Sequence, residues 1–193
     1  MTLLALASAA TVAIVAGLIV ALHLLPTGID PLEHGVSAYA NTRYGALYRA
    51  QVILTGAATL AIVVLVWPDV GELGVAALLV FAASRIAIAR FPTDPPDSPS
   101  LSTAGRRHVL LATAAFLAIA IAAPAVGRRL FELSSWHGST DALAILNIAV
   151  PVTMLATFAA GTTPPTRRIF GLVERCGYVA ALAWLFVVSL GYI

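Results

Sequence analysis

The sequence predicts an all-α integral membrane protein, a bundle of six transmembrane helices. Two observations carry this. First, 60% of the 193 residues are apolar and only 10% are charged, against roughly 25% charged in an ordinary soluble domain. That apolar content would fill about six spans of roughly 20 residues each. Second, the apolar residues fall in six runs with marked ends. Spanning β-strands would be roughly 10 residues long and strictly alternating; these runs are about twice that and do not alternate. The composition excludes a soluble domain, a disordered chain and a nucleic-acid binder. The single cysteine, Cys176, excludes a disulfide framework.

The runs cover about 3–25, 44–67, 72–91, 107–126, 140–161 and 169–193, and together they form a single membrane domain. Pro26, Pro68 and Pro92 end the first three, because proline cannot continue a helix and biases the residue before it away from one. Gly127-Arg128-Arg129 ends the fourth and the Thr-Thr-Pro-Pro stretch from Thr162 ends the fifth. The first run has no basic residue before it and is too long for a signal-peptide core, so it reads as a retained helix. Pro151 is expected to kink the fifth helix, and Asn147 to hydrogen-bond a neighbouring one.

All eleven basic residues are arginine, which fits a GC-rich bacterial genome. Seven of them (Arg43, Arg49, Arg90, Arg106, Arg107, Arg167, Arg168) flank the first, third and fifth connections, whereas Arg128 and Arg129 alone lie opposite. The positive-inside rule then places those three connections in the cytoplasm of a multi-pass protein of the bacterial plasma membrane. Trp67, Trp136 and Tyr192 are expected to mark the opposite interface as an aromatic belt.

With six spans, the ends of helices one, three and five share a face with the starts of helices two, four and six. Nearly every unusual polar residue falls there: His23, Asp30, Glu33, His34, Ser37 and Asn41, then Arg85 and Asp94, then His108, Glu174 and Arg175. Arg85 and Arg175 are the costly ones, at about 2.5–3.5 kcal/mol for a mid-helix arginine on insertion scales. They read either as an Arg85–Glu174 lock between helices three and six, or as a cationic pocket for phosphate or carboxylate. The histidines lack the facing mid-helix pairs that haem needs and the local spacing of a metal site, so no cofactor or metal is expected. Ser37 and Ser84 sit in no Gly-x-Ser-x-Gly elbow.

Four segments, in order, resemble the bacterial membrane family catalogued as domain of unknown function 998. They are DPLEHGVSAYANTRYGALYRAQ, RFPTDPP, GRRHVLLA and GLVERCGYVAALAWL, and the resemblance covers almost the whole chain. It implies six helices. Its motif positions fall on Asp30, Ser37, Phe91, Asp94, His108, Glu174 and Arg175. The family has no established activity, so the resemblance bears on architecture more than on function.

The first functional expectation is therefore a membrane protein that binds an anionic lipid headgroup or small anion in a polar pocket at one membrane face. His23, Asp30, Ser37, Arg85, Asp94, His108, Glu174 and Arg175 would form that pocket, with membrane lipid as the partner. Two alternatives stand beside it. One is an enzyme acting on a lipid or isoprenoid, with Asp94 and His108 as its acid–base pair and Ser37 as a further candidate. The other is a structural bundle or small transporter.

Overall fold

The computed structural model describes residues 1–67, 69–95, 98–162 and 164–193, apart from the side chains at 164 and 165. Pro68 and Thr163, at the expected stops of the second and fifth runs, lie outside the described residues, as do Pro96 and Asp97. Among the described residues there are seven α-helices and no strand. They are α1 (Thr2–Leu24), α2 (Gly45–Val66), α3 (Glu72–Ile88), α4 (Thr103–Leu130), α5 (Thr140–Thr162), the single-turn α6 (Pro164–Arg167) and α7 (Phe170–Leu190). A 3-10 helix (Val36–Asn41) forms within the first connection. Helices are what long apolar runs must form in lipid, where each backbone group needs a partner within its own segment.

Five helices, α1, α2, α4, α5 and α7, are long and apolar enough to cross a membrane. The third run differs from expectation. α3 has 17 residues, about 25 Å at 1.5 Å per residue, and ends at Ile88 rather than at 91. Beyond Ile88 the chain tightens into turns closed by Arg90 N–H to Ala87 O and Phe91 N–H to Ile88 O, because Pro92 disfavours α-helical geometry at Phe91. α4 differs the other way and runs to 28 residues. It starts earlier because Ser102 caps it, its hydroxyl accepting from Gly105 N–H at 3.0 Å. It continues through Gly127, whose missing side chain makes room for Asn147: a Cβ there would collide with that amide.

The long helices form a closed ring. α1 packs on α2, α2 on α3, α3 on α4, α4 on α5, α5 on α7, and α7 back on α1. Neighbours run antiparallel, as the contacts show. Ser8, early in α1, reaches the carbonyl of Ala58 late in α2 at 3.2 Å and the hydroxyl of Ser189 late in α7 at 2.9 Å. Gly74, early in α3, lies against Val126 late in α4, and Gly177, early in α7, lies against Met154 late in α5. The first, third and fifth connections therefore share one end of the ring, called the loop end below. At the other end Trp136 is buried, not belted at an interface. It packs against Gly191 and donates to Val188 O at 3.4 Å. Asn147 accepts from Trp184 Nε1 at 2.9 Å and joins α5 to α7.

Candidate functional site

Glu174 and Tyr178 are four residues apart on α7, so they share a face, and that face looks into the ring. Arg175 is rotated about 100° from Glu174 and faces α1 and the first connection. This one-residue step divides the loop end into three neighbourhoods.

In the interior, Arg85 of α3 is 2% exposed. Its Nη1 donates to Tyr178 Oη at 2.8 Å and its Nη2 to Gln51 Oε1 of α2 at 3.2 Å, and its guanidinium lies 5.1 Å from the Tyr178 ring centre. The direct Arg85–Glu174 lock does not form. Among the described residues, the only ion pair within 4 Å is the exposed Arg129–Glu132. Glu174 instead accepts from Val36 N–H of the 3-10 helix at 2.6 Å. The Arg85 Nε and Gln51 Nε2 have no hydrogen-bond partner. A cavity of about 20 Å³ beside Arg85, walled by Phe81, Phe116 and Met154, is large enough for about one water. Gln51 and Tyr178 are the partners that the sequence reading missed. A glutamine within an apolar run was the available signal for the first, and the four-residue spacing from Glu174 for the second.

Beside α1, Arg175 holds the first connection in place. Its Nη1 donates to the carbonyls of Pro31, His34 and Gly171, its Nη2 to Tyr39 Oη at 3.2 Å, and its Nε to His23 Nε2. His23 in turn donates from Nδ1 to Ile19 O at 2.6 Å, since a carbonyl can only accept. A Cβ at Gly171 would collide with the His34 carbonyl. Asp30 serves its own turn, accepting from Leu32 N–H at 2.8 Å. An apolar groove of about 530 Å³ runs from here along α1 and α7, with His23 and Arg175 at its loop end.

The third neighbourhood is a pocket of about 390 Å³ between α4, α5 and α7, covered by the 3-10 helix and the connection into α4. Its polar lining includes Ser37, Thr93, His108, Thr157 and Glu174; its apolar lining includes Phe116, Phe158 and Phe170. His108 is 4% exposed and donates from Nδ1 to Phe91 O at 2.8 Å, which leaves Nε2 as an acceptor when the ring is neutral. Asp94 lies just outside. Its two oxygens accept from Ser102 N–H at 2.8 Å and from the Ser102 hydroxyl at 2.6 Å. Those bonds, the hydroxyl first, hold its carboxyl below the usual carboxylate range. A Cβ at Gly105 would strike this carboxylate, so the Asp94–Ser102–Gly105 set is one capping unit.

Of the residues expected to converge, the structure thus brings Ser37, His108 and Glu174 into one pocket. It places His23 and Arg175 on the far side of α7, Arg85 beneath, and Asp30 and Asp94 in local turns. No group of three or more metal-ligating side chains occurs among the described residues.

A family model described as "Protein of unknown function (DUF998)" matches residues 7–191. The chain belongs to this family. The match runs through all three neighbourhoods and every motif segment of the loop end. No curated protein and no solved structure matches the chain. The DUF998 chain is accordingly a multi-pass membrane protein whose activity its family does not supply.

Proposed function

We propose that this DUF998 protein holds the polar head of a membrane-resident amphiphile in the pocket between α4, α5 and α7, with the tail leaving through the apolar wall toward lipid. The observation that supports it is the lining: buried His108 and Glu174 and a set of hydroxyls, together with aromatic rings and with Val109, which is 46% exposed. Sites of this kind combine mostly apolar walls with a few convergent polar groups. The arginine-based anion site has less support. Arg175 spends its donors on protein acceptors, the two terminal nitrogens of Arg85 are engaged by Tyr178 and Gln51, and neither arginine lines this pocket. If the site is catalytic, His108 and Glu174 are its acid–base candidates rather than Asp94, whose oxygens Ser102 occupies.

We also propose that α3 crosses the membrane as a sixth span. It packs antiparallel between α2 and α4, and the tight turns to Phe91 extend it. The seven arginines around the first, third and fifth connections then support a cytoplasmic loop end in a bacterial plasma membrane.

The test fills the pocket. Gly161 lines it, and a Cβ there meets only Phe170 at ordinary contact distance, 3.5 Å. Native mass spectrometry of the purified full-length protein should show a bound lipid-like molecule on the wild type and its loss in Gly161→Leu, with melting temperature kept. Equal retention of the bound mass in Gly161→Leu contradicts the proposal.

A further inference from the structure

We infer that the head group taken by this pocket carries a cationic ammonium nitrogen. The inference rests on the pocket reading above and adds the chemistry of its occupant. Glu174 is the acidic side chain in the lining, which also holds His108; it is 6% exposed, and no arginine or histidine comes within 4 Å of its carboxylate among the described residues. Its hydrogen bond from Val36 N–H is a dipole, not a countercharge. Burying a carboxylate without a cationic partner is costly, so a cation in the pocket removes an energetic deficit, whereas an anion would add to it.

The aromatic lining points the same way. Phe116, Phe158 and Phe170 line the pocket with Glu174. The Phe116 and Phe158 rings meet edge to face, with centroids 6.1 Å apart. Ring faces attract ammonium groups, and cages of aromatic rings with a carboxylate are a common way to hold quaternary amines. Two cations lie nearby and must be weighed. Arg85 lines its own cavity, which shares Phe116 with this pocket, and is not part of the pocket lining. Arg175 is turned away to the first connection. Neither touches the space that a ligand would occupy, so contact with Glu174 dominates at short range.

The nitrogen could belong to a zwitterionic lipid or to a free amine solute. The experiment uses the full-length protein in a nonionic detergent. Binding of phosphatidylethanolamine and phosphatidylglycerol with identical acyl chains is compared by native mass spectrometry, and choline chloride alone is tested by thermal shift. The expected result is at least tenfold tighter binding of the ammonium lipid. That preference should fall at least tenfold in Glu174→Gln and several-fold in Phe158→Leu. A thermal shift with choline chloride that Glu174→Gln removes assigns the site to free amines; no such shift, with the lipid preference present, assigns it to the lipid. Equal or tighter binding of phosphatidylglycerol overturns the inference, as does a preference unchanged in Glu174→Gln. Should Glu174→Gln fail to fold, an unchanged preference in Phe158→Leu overturns it. Lipid binding that Gly161→Leu removes but that ignores the head group sinks this inference alone; binding that Gly161→Leu leaves intact sinks the pocket reading beneath it.

Discussion

Asp94 and Arg85 show how differently two charged residues can be used within one end of a bundle. Asp94 is half-buried, and its depressed carboxyl reflects the two bonds from Ser102. A folded value below the unfolded one means that the contribution is present above the unfolded carboxyl range, about pH 4. It is lost as pH falls through the folded value. Melting temperature against pH should therefore drop on the acid side of about pH 4 in the wild type. Asp94→Asn should be less stable at neutral pH and lack this part of the acid loss. Arg85 is buried, and each hydrogen bond to a charged group contributes about 1.5–3 kcal/mol. Arg85→Ala should lose at least one such increment. In a double-mutant cycle its effect should couple to Tyr178→Phe by more than about 0.5 kcal/mol, and less strongly to Glu174→Gln. Strong coupling to Glu174 with none to Tyr178 would mean that the ion pair forms after all. These contacts were only partly legible in the sequence. The depth of Arg85 and Glu174 matched, but depth does not determine azimuth, and Tyr178 occupies the position that meets Arg85.

At the scale of the element, the helical nature of the runs was readable because lipid leaves a long apolar segment no choice but helix. The ends set by tertiary contacts were not. α4 begins at a serine cap that Asp94 positions from across a connection, and it runs past Gly127 because Asn147 of the next helix occupies that space. Gly105→Ala should displace the Asp94 carboxylate and cost about the value of a helix cap, about 1 kcal/mol. A Cβ at Gly17 of α1 would meet nothing within 4 Å. Gly17→Ala should thus be neutral or stabilising by about 0.5–1 kcal/mol. Thermal melts of the two variants in one detergent check both. The 3-10 helix over Val36–Asn41 left no periodic signal in a six-residue segment, yet it supplies the Val36 N–H that holds Glu174.

For the whole molecule, helix parity was enough to bring the polar residues to one end, but not to divide them. The ring order shows why. α7 stands between the α1 groove and the α4–α5 pocket, so adjacent residues of one helix serve opposite sides. Orientation rests on the arginine asymmetry. In a Cys176→Ala background, a membrane-impermeant thiol reagent applied outside the cell should label Glu132→Cys and spare Ser100→Cys. The reverse pattern would invert the protein without altering its ring. Occupancy of the pocket is measured most directly with a photo-crosslinking amino acid placed at Val109, in the pocket lining, and at Ile145, exposed on the outer surface of α5. A filled pocket gives a lipid-mass adduct at position 109 that Gly161→Leu abolishes, and at position 145 only labelling that Gly161→Leu leaves unchanged. An adduct at 109 that survives Gly161→Leu would show the pocket to be empty of the ligand assigned to it.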